Sequence, residues 1–439
     1  MSDDTPVDAG ALGTIPQPPA MPTPAPRPEP PSLPTVRPSE VPAPRPTVLF
    51  VDDEEEVLAG LRVSLRRHRN DYHLRFATSA DDAVAILDRE SVDMVVTDMR
   101  MPERSGADLL DELRFRFPDV IRYVLSGQAD DRLIHRSVAV THRWLSKPCP
   151  PEVLIATLAE ATGHWSRLAD SRLRQAVGAV DALPSHPEVY LALVELLDSE
   201  RATPEQVAGL IALDPAVSLK VLQWANSAYV VGEPVYDVRR AVERIGVSSL
   251  RTLAKADEMI RPFTPSEVIP GFPIDLFHRY SRAVASLAAS LAAPEDAHLA
   301  WTGGLLSNVG LLVEVSQLRD QLIDEYARAE ADGRTLDQTD RRRGGVGLAE
   351  LGGHLLALWG LPSGLTEVVV ASDHLPELGA DIPLDAVNAV RAARLLAQRL
   401  PLAQGVGAPH RVETDDRVNA TLDRWTGDLN LASRFGVRR

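Results

Sequence analysis

Asp52 and Asp53 in "FVDDE", Asp98 in "VVTDMRMP", Ser126 in "VLSGQ" and Lys147 in "SKP" each close or directly follow a short apolar run. Three carboxylates drawn together repel one another, and a hard divalent cation neutralises such a cluster. Mg2+ suits it, because it takes oxygen ligands, keeps waters and bridges to phosphate oxygens. A carboxylate held beside that ion, Asp98, can attack an activated phosphoryl group and carry it as an acyl phosphate. Lys147 then supplies a point charge for the phosphoryl oxygens, and the Ser126 hydroxyl bonds one of them.

These residues can meet only if the elements before them bring them together. From residue 47 the sequence alternates β-branched runs with helical periodicity. "TVLFVDD", "YHLRFAT", "VDMVVTD", "VIRYVLS" and "HRWLS" read as strands. Helices follow in "VLAGLRVSLRRH", "ADDAVAILDRE", "GADLLDELRFRF", near Asp131 to Val138, and in "PEVLIATLAEATGHW". Five such units predict a doubly wound, parallel five-stranded (βα)5 sheet with right-handed crossovers. In these sheets the functional crevice lies at the carboxyl ends of the strands, which is where all five polar residues fall.

At these positions residues 47–166 resemble the receiver domain of bacterial two-component response regulators. The resemblance implies that Asp98 accepts a phosphoryl group from a cognate sensor histidine kinase. It further implies that Asp53 and the backbone carbonyl of Arg100 bind Mg2+ together with Asp98, and that Asp52 contributes through water. Receivers carry an aromatic switch three residues before the lysine; Trp144 stands there, bulkier than the usual Tyr or Phe.

Past Leu168 the strand pattern stops. "SRLADSRLRQAVGAV" reads as a helical connector, Asp214-Pro215 as an N-cap followed by a first-turn proline, and "TPEQ" from Thr203 as a capping box. Apolar spacing of three to four in "EQVAGLIAL" and "AVSLKVLQWA" predicts packed helices of an all-α domain. The phrases "LPSHPEV", "LIALDPAVSLKVLQWANSA", "AVERIGVSSLRTL", "GGLLSNVGLL" and "LAELGGHLLALWGLP" resemble, in order, the HDOD family, a signalling branch of the HD-hydrolase fold. HD hydrolases carry a metal-binding His-Asp pair where this chain has Ser307 and Asn308, two residues that bring no anionic charge to a dication. That stretch reads as the middle of a buried helix. The resemblance therefore implies an output that works by protein contact rather than by catalysis. His278, His298, His354 and the Asp373-His374 pair could form a metal site only by meeting in space, since no short ligand spacing links them. Trp224 and Trp359 read as core aromatics.

Composition sets the outer bounds. The chain has 439 residues, enough for two domains plus extensions, with 44% hydrophobic and 25% charged residues. A formal charge of −16 argues against broad nucleic-acid binding, and the runs Arg66–Arg69 and Arg341–Arg343 read as solvated surface. The lone cysteine, Cys149, allows no intrachain disulfide, and no secretory signal or apolar run of roughly 20 residues stands out. A cytoplasmic protein without a membrane span is the expectation. Fifteen of the 35 prolines lie in residues 1–46, which should stay extended and disordered. The expected divisions are this extension, the receiver at 47–166, a helical linker at 167–182, the HDOD domain at 183–400 and a helical tail at 401–439. A downstream protein partner of the HDOD domain is implied but not named, and a homodimer stays open. The rival readings are a phosphodiesterase or phosphohydrolase with an atypical metal site, and a module that binds a nucleotide without cleaving it.

Overall fold

The computed structural model describes residues 45–127, 140–168, 170–199, 201–227, 233–255, 261–262, 274–332, 346–373 and 383–398. The Pro-rich extension through residue 44, the helix expected near 131–138, the run 341–343, His374 and the tail from 401 lie outside the described residues, as does the Ser126 side chain.

Strands β1 (Thr47–Val51), β2 (His73–Ala77), β3 (Met94–Thr97), β4 (Ile121–Ser126) and β5 (Arg143–Ser146) form one parallel sheet in the order β2-β1-β3-β4-β5. The central strands are buried on both faces, which explains why their sequences run continuously apolar. Register builds the site: Val51 pairs with Thr97, so the next residues, Asp52 and Asp98, leave the sheet side by side. Around the sheet lie α1 (Glu55–Ser64), α2 (Ala80–Leu87), α3 (Gly106–Arg116) and α4 (Pro151–Arg167). Ser79 caps α2, Ser105 and Asp108 form a capping box on α3, and Pro151 opens α4 where a missing N–H costs nothing. The five-stranded fold expected from the sequence is the fold observed. Arg66–His68 lies in an exposed 3-10 turn, matching the solvated reading of that run.

The helical half begins with α5 (Ser171–Gly178), set off from α4 by a break after Arg167, so the connector is two helices and not one. It continues through α6 (Pro187–Asp198), α7 (Pro204–Ile211), α8 (Pro215–Ala225), α9 (Val238–Ile245), α10 (Val247–Lys255), α11 (Ile274–Leu291), α12 (Ala297–Leu306), α13 (Val309–Gln317), α14 (Arg319–Asp332), α15 (Leu348–Leu358), α16 (Ser363–Ala371) and α17 (Ala386–Ala397). The Thr203 capping box and the Asp214 cap stand where the sequence put them.

Three features depart from the expectation. Pro184–Ser185 (β6) and Arg261–Pro262 (β7) pair as a two-stranded parallel sheet inside the helical half. The stretch "GGLLSNVGLLVE" is not one helix: α12 ends at Ser307 and α13 starts after Asn308, because the Ser307 hydroxyl donates to the Gly304 carbonyl at 2.8 Å and competes with the helical ladder. The span Ala297–Gln317 is also long and apolar enough to cross a membrane, a property the sequence reading passed over; 83% of its most apolar window is buried inside the fold, as in a core helix.

One hydrophobic cluster runs from Val48, Phe50, Leu154 and Trp165 into Leu193, Leu219, Leu355 and Trp359, joining the receiver to the helical half. Trp359 is thus a core aromatic, and Trp224 packs partly buried against the same cluster.

Candidate functional site

Lys147 organises the crevice. Its Nζ donates to Asp52 Oδ2 at 2.6 Å and to Asp98 Oδ1 at 2.5 Å, drawing the ends of β1, β3 and β5 onto one ammonium. Asp52 and Asp98 are both buried, so this cation supplies the nearest compensation for their charge. Burial works against the Lys147 charge, but the hydrogen bonds to Asp52 and Asp98 outweigh it and hold the ammonium above its ordinary value. The free oxygens are also engaged. Asp52 Oδ1 accepts from the Glu54 N–H at 3.0 Å, and Asp98 Oδ2 accepts from the Arg100 N–H at 2.5 Å. Arg100 therefore meets Asp98 through its N–H. The Lys147–Pro148 peptide is cis.

Asp53 is exposed at the mouth, next to Asp52. Among the described residues no three His, Cys, Asp or Glu side chains form a ready-made metal cage. Mg2+ does not require one, since it binds through one or two carboxylates and keeps its waters. Hard oxygen donors of Asp98 and Asp53 beside the Arg100 backbone fit that ion. Trp144 is buried among Val124, Val140, Met99 and Met101, on the sheet face opposite its neighbours Arg143 and Leu145.

Sequence reasoning missed Gly106. A Cβ there would lie 2.0 Å from the Asp98 carbonyl oxygen, so only glycine lets α3 start this close to the site. The signal available was a glycine directly after the Ser105 N-cap.

Two family models match the chain: the response regulator receiver domain over residues 48–159 and the HDOD domain over residues 183–375. The chain is a response regulator with a receiver domain and an HDOD domain. The receiver is 37% identical over 116 residues to the hydrogenase transcriptional regulatory protein HoxA of Cupriavidus necator, a match covering 26% of this chain and 23% of HoxA. This response regulator thus spans about a quarter of that relative's length. Among solved structures, the receiver domain of an HD domain-containing protein from Pseudomonas fluorescens Pf-5 is 31% identical, over 28% of this chain and 99% of that one, with a TM-score of 0.27. A fragment of the MmoQ response regulator from Methylococcus capsulatus is 23% identical over 56% of this chain and 91% of that one, with a TM-score of 0.43.

In the HDOD domain, Ser307 and Asn308 are completely buried. Beside them Arg394 forms an ion pair with Asp373 and donates to Ser372 Oγ at 2.5 Å and to the Ser307 carbonyl at 3.4 Å. Asp373 also accepts from the Ala349 N–H at 3.1 Å. A guanidinium thus already neutralises the carboxylate singled out as half of an Asp-His pair. Of the histidines singled out in the sequence, His278, His298 and His354 each meet a different partner and do not converge. His298 pairs with Asp237 at 3.1 Å, and that bond holds its ring above the ordinary value. His354 faces His164 on α4, with ring centroids 6.0 Å apart. His278 packs on His186 at 5.3 Å, with Asp214 Oδ2 3.9 Å from Nδ1. His186 and Asp214 went unremarked as a pair in the sequence, although each lies in an HDOD phrase. Asp214 accepts N–H bonds from His186, Ala216 and Val217, but burial outweighs them and pushes its carboxyl up to about 6.

Proposed function

We propose that this response regulator is a phosphorelay switch in which Asp98 accepts a phosphoryl group from a sensor histidine kinase and thereby controls an HDOD output that acts by protein contact. The observation that carries this reading is the Lys147 ammonium bonded to both Asp52 and Asp98 at the carboxyl ends of β1 and β3.

In the proposed step an Asp98 carboxylate oxygen attacks phosphorus, the P–N bond to the kinase imidazole breaks, and its electron pair returns to the ring. Lys147, already beside Asp98 Oδ1, stays next to the new phosphoryl oxygens, and the Ser126 hydroxyl is assigned to one of them. The Arg100 N–H fixes the second Asp98 oxygen and so orients the carboxylate. Asp98, Asp53 and the Arg100 carbonyl would hold Mg2+, with Asp52 contributing through water, and the ion would supply neutralisation of the phosphoryl charge. Trp144 is proposed as the aromatic that repacks on phosphorylation. For the HDOD domain, the buried Arg394–Asp373 pair supports a non-catalytic role, because it fills a polar position with a fixed side-chain cation. We also propose the domain divisions given above, with the receiver at 47–166 and the HDOD domain at 183–400, and a cytoplasmic location.

Incubation with acetyl phosphate and Mg2+ should add one phosphoryl group by intact mass, and Asp98→Asn should abolish it. An unchanged mass for both proteins would remove the proposal.

A further inference from the structure

We propose that the HDOD domain is clasped to the pole of the receiver opposite the acidic crevice, so that Asp98 is loaded without separation of the two domains, and that the Gly178 carbonyl anchors the clasp. The loading half rests on Asp98 being the phosphoryl acceptor; the clasp does not.

All five strands are parallel, so the sheet has two distinct poles. Asp52, Asp98 and Lys147 follow the carboxyl ends of β1, β3 and β5, whereas the polar contacts between the halves gather at the amino ends of β4 and β5. The Gly178 carbonyl, at the last residue of α5, receives two donors: Arg122 Nη2 at 2.7 Å and His142 Nε2 at 3.0 Å. His142 Nδ1 accepts the Arg122 backbone N–H at 3.1 Å, which leaves the proton on Nε2 and fixes the tautomer that donates to Gly178. The rest of the Arg122 guanidinium is held by the carbonyls of Val140 at 2.8 Å and Val120 at 3.5 Å. Arg122 is completely buried, and burial pushes it down to about 9, which still leaves it charged at neutral pH. Gly178 cannot be replaced, since a Cβ would lie 2.0 Å from the Pro118 carbonyl oxygen.

Further bonds extend the clasp into the HDOD core. Gln223 Nε2 on α8 donates to the His142 carbonyl at 3.0 Å. Arg114 pairs with Asp181 at 2.5 Å, and Lys220 Nζ donates to the Asp181 carbonyl at 2.7 Å while sitting 4.5 Å above the Trp359 ring. The Tyr123 hydroxyl reaches the Leu358 carbonyl at 3.5 Å. Gly360, at φ +69°, takes the left-handed turn after α15 and leaves room for the Arg143 stem, whose Cδ would be 2.5 Å from a Cβ. A strand advances roughly 3.3 Å per residue, so the four steps from Arg122 to Ser126 place this contact about 13 Å from the crevice end of β4. Asp53 and Arg100 remain exposed at the mouth while these bonds are intact.

The test uses the full chain as wild type, Arg122→Met and the milder Gln223→Ala, which cuts only the bond to the His142 carbonyl. Phosphoryl uptake from acetyl phosphate with Mg2+ is followed by intact mass, and amide hydrogen exchange is read in residues 171–178 and 348–358. The clasp predicts at least tenfold faster exchange in both segments for Arg122→Met, a smaller rise for Gln223→Ala, and uptake rates within twofold of wild type for every folded variant. Unchanged exchange in both variants would overturn the clasp. Uptake that accelerates many-fold as exchange rises would overturn loading in the closed state. Absence of uptake in all three proteins would instead strike the acceptor role of Asp98 and the loading half with it, and exchange would still decide the clasp.

Discussion

Gly106 rests directly on the main chain of Asp98: its N–H donates to the Met99 carbonyl at 3.0 Å, and a Cβ would fall 2.0 Å from the Asp98 carbonyl oxygen. The clash would be with backbone, which cannot rotate away. Gly106→Ala should therefore shift α3 or the Asp98 loop, destabilise the protein by roughly 1–3 kcal/mol, and reduce phosphoryl uptake more than a substitution at exposed Phe115 on the same helix. Thermal denaturation and intact mass after acetyl phosphate treatment measure the two effects. Uptake and stability both equal to wild type would show that the contact is not constraining.

Lys147→Met should leave two buried carboxylates without their shared cation. Removing one partner of a buried ion pair costs about 3 kcal/mol, so denaturant unfolding should shift by that order and phosphoryl uptake should fall. The double variant Lys147→Met/Asp52→Asn should regain part of the stability by removing one of the stranded charges, without regaining uptake. If the single variant is as stable as wild type, the ammonium is not what holds the crevice together.

The crevice was legible because period-2 and continuous apolar runs locate strand ends, and parallel topology sends all those ends to one pole. Asp52, Asp98 and Lys147 needed nothing more to be brought together. Gly106 was not legible, since its role depends on which main-chain atom α3 would start against. Arg122 offered a signal that went unread: an arginine inside the apolar run "VIRYVLS" must either reach solvent or find carbonyls, and here it finds those of Val140, Val120 and, beyond the receiver, Gly178. The helix break at Ser307–Asn308 comes from a side-chain bond to the Gly304 carbonyl, and the two-residue strands β6 and β7 from a long-range pairing; apolar periodicity encodes neither.

Arg394→Leu should strand the Asp373 carboxylate in the HDOD core and cost about 3–5 kcal/mol, whereas Arg394→Leu/Asp373→Leu should recover much of that loss. The pair also separates the rival readings of this domain. If Asp373 is a metal ligand, Mn2+ or Zn2+ should raise the melting temperature of Arg394→Leu and of the wild type. If the guanidinium is the resident cation, neither ion should stabilise the wild type. Measuring melting temperature with and without each metal distinguishes the two.

Three buried histidines should govern the acid limit of stability, and burial pushes one of them, His142, well below its ordinary value. Burial pushes His278 down to about 3, with His186 and Arg282 nearby adding to the effect, and it pushes His354 down to about 3, with His164 and Arg167 adding. Each ring titrates near 6.5 when unfolded, so between pH 6.5 and 3 the unfolded chain binds protons that the folded chain refuses. Their stabilising contribution is therefore complete above pH 6.5 and is lost as pH falls towards 3, at about 1.4 kcal/mol per pH unit for each ring. Asp214 acts in the opposite sense, because its folded value is raised to about 6: its contribution is greatest below pH 3.8 and disappears as pH rises through 6. The three rings together outweigh the one carboxyl, so urea unfolding should show stability falling on acidification from pH 6.5 to 4. His354→Leu should make that slope shallower and Asp214→Asn should make it steeper. A slope that neither substitution changes would mean that these groups do not set the acid limit.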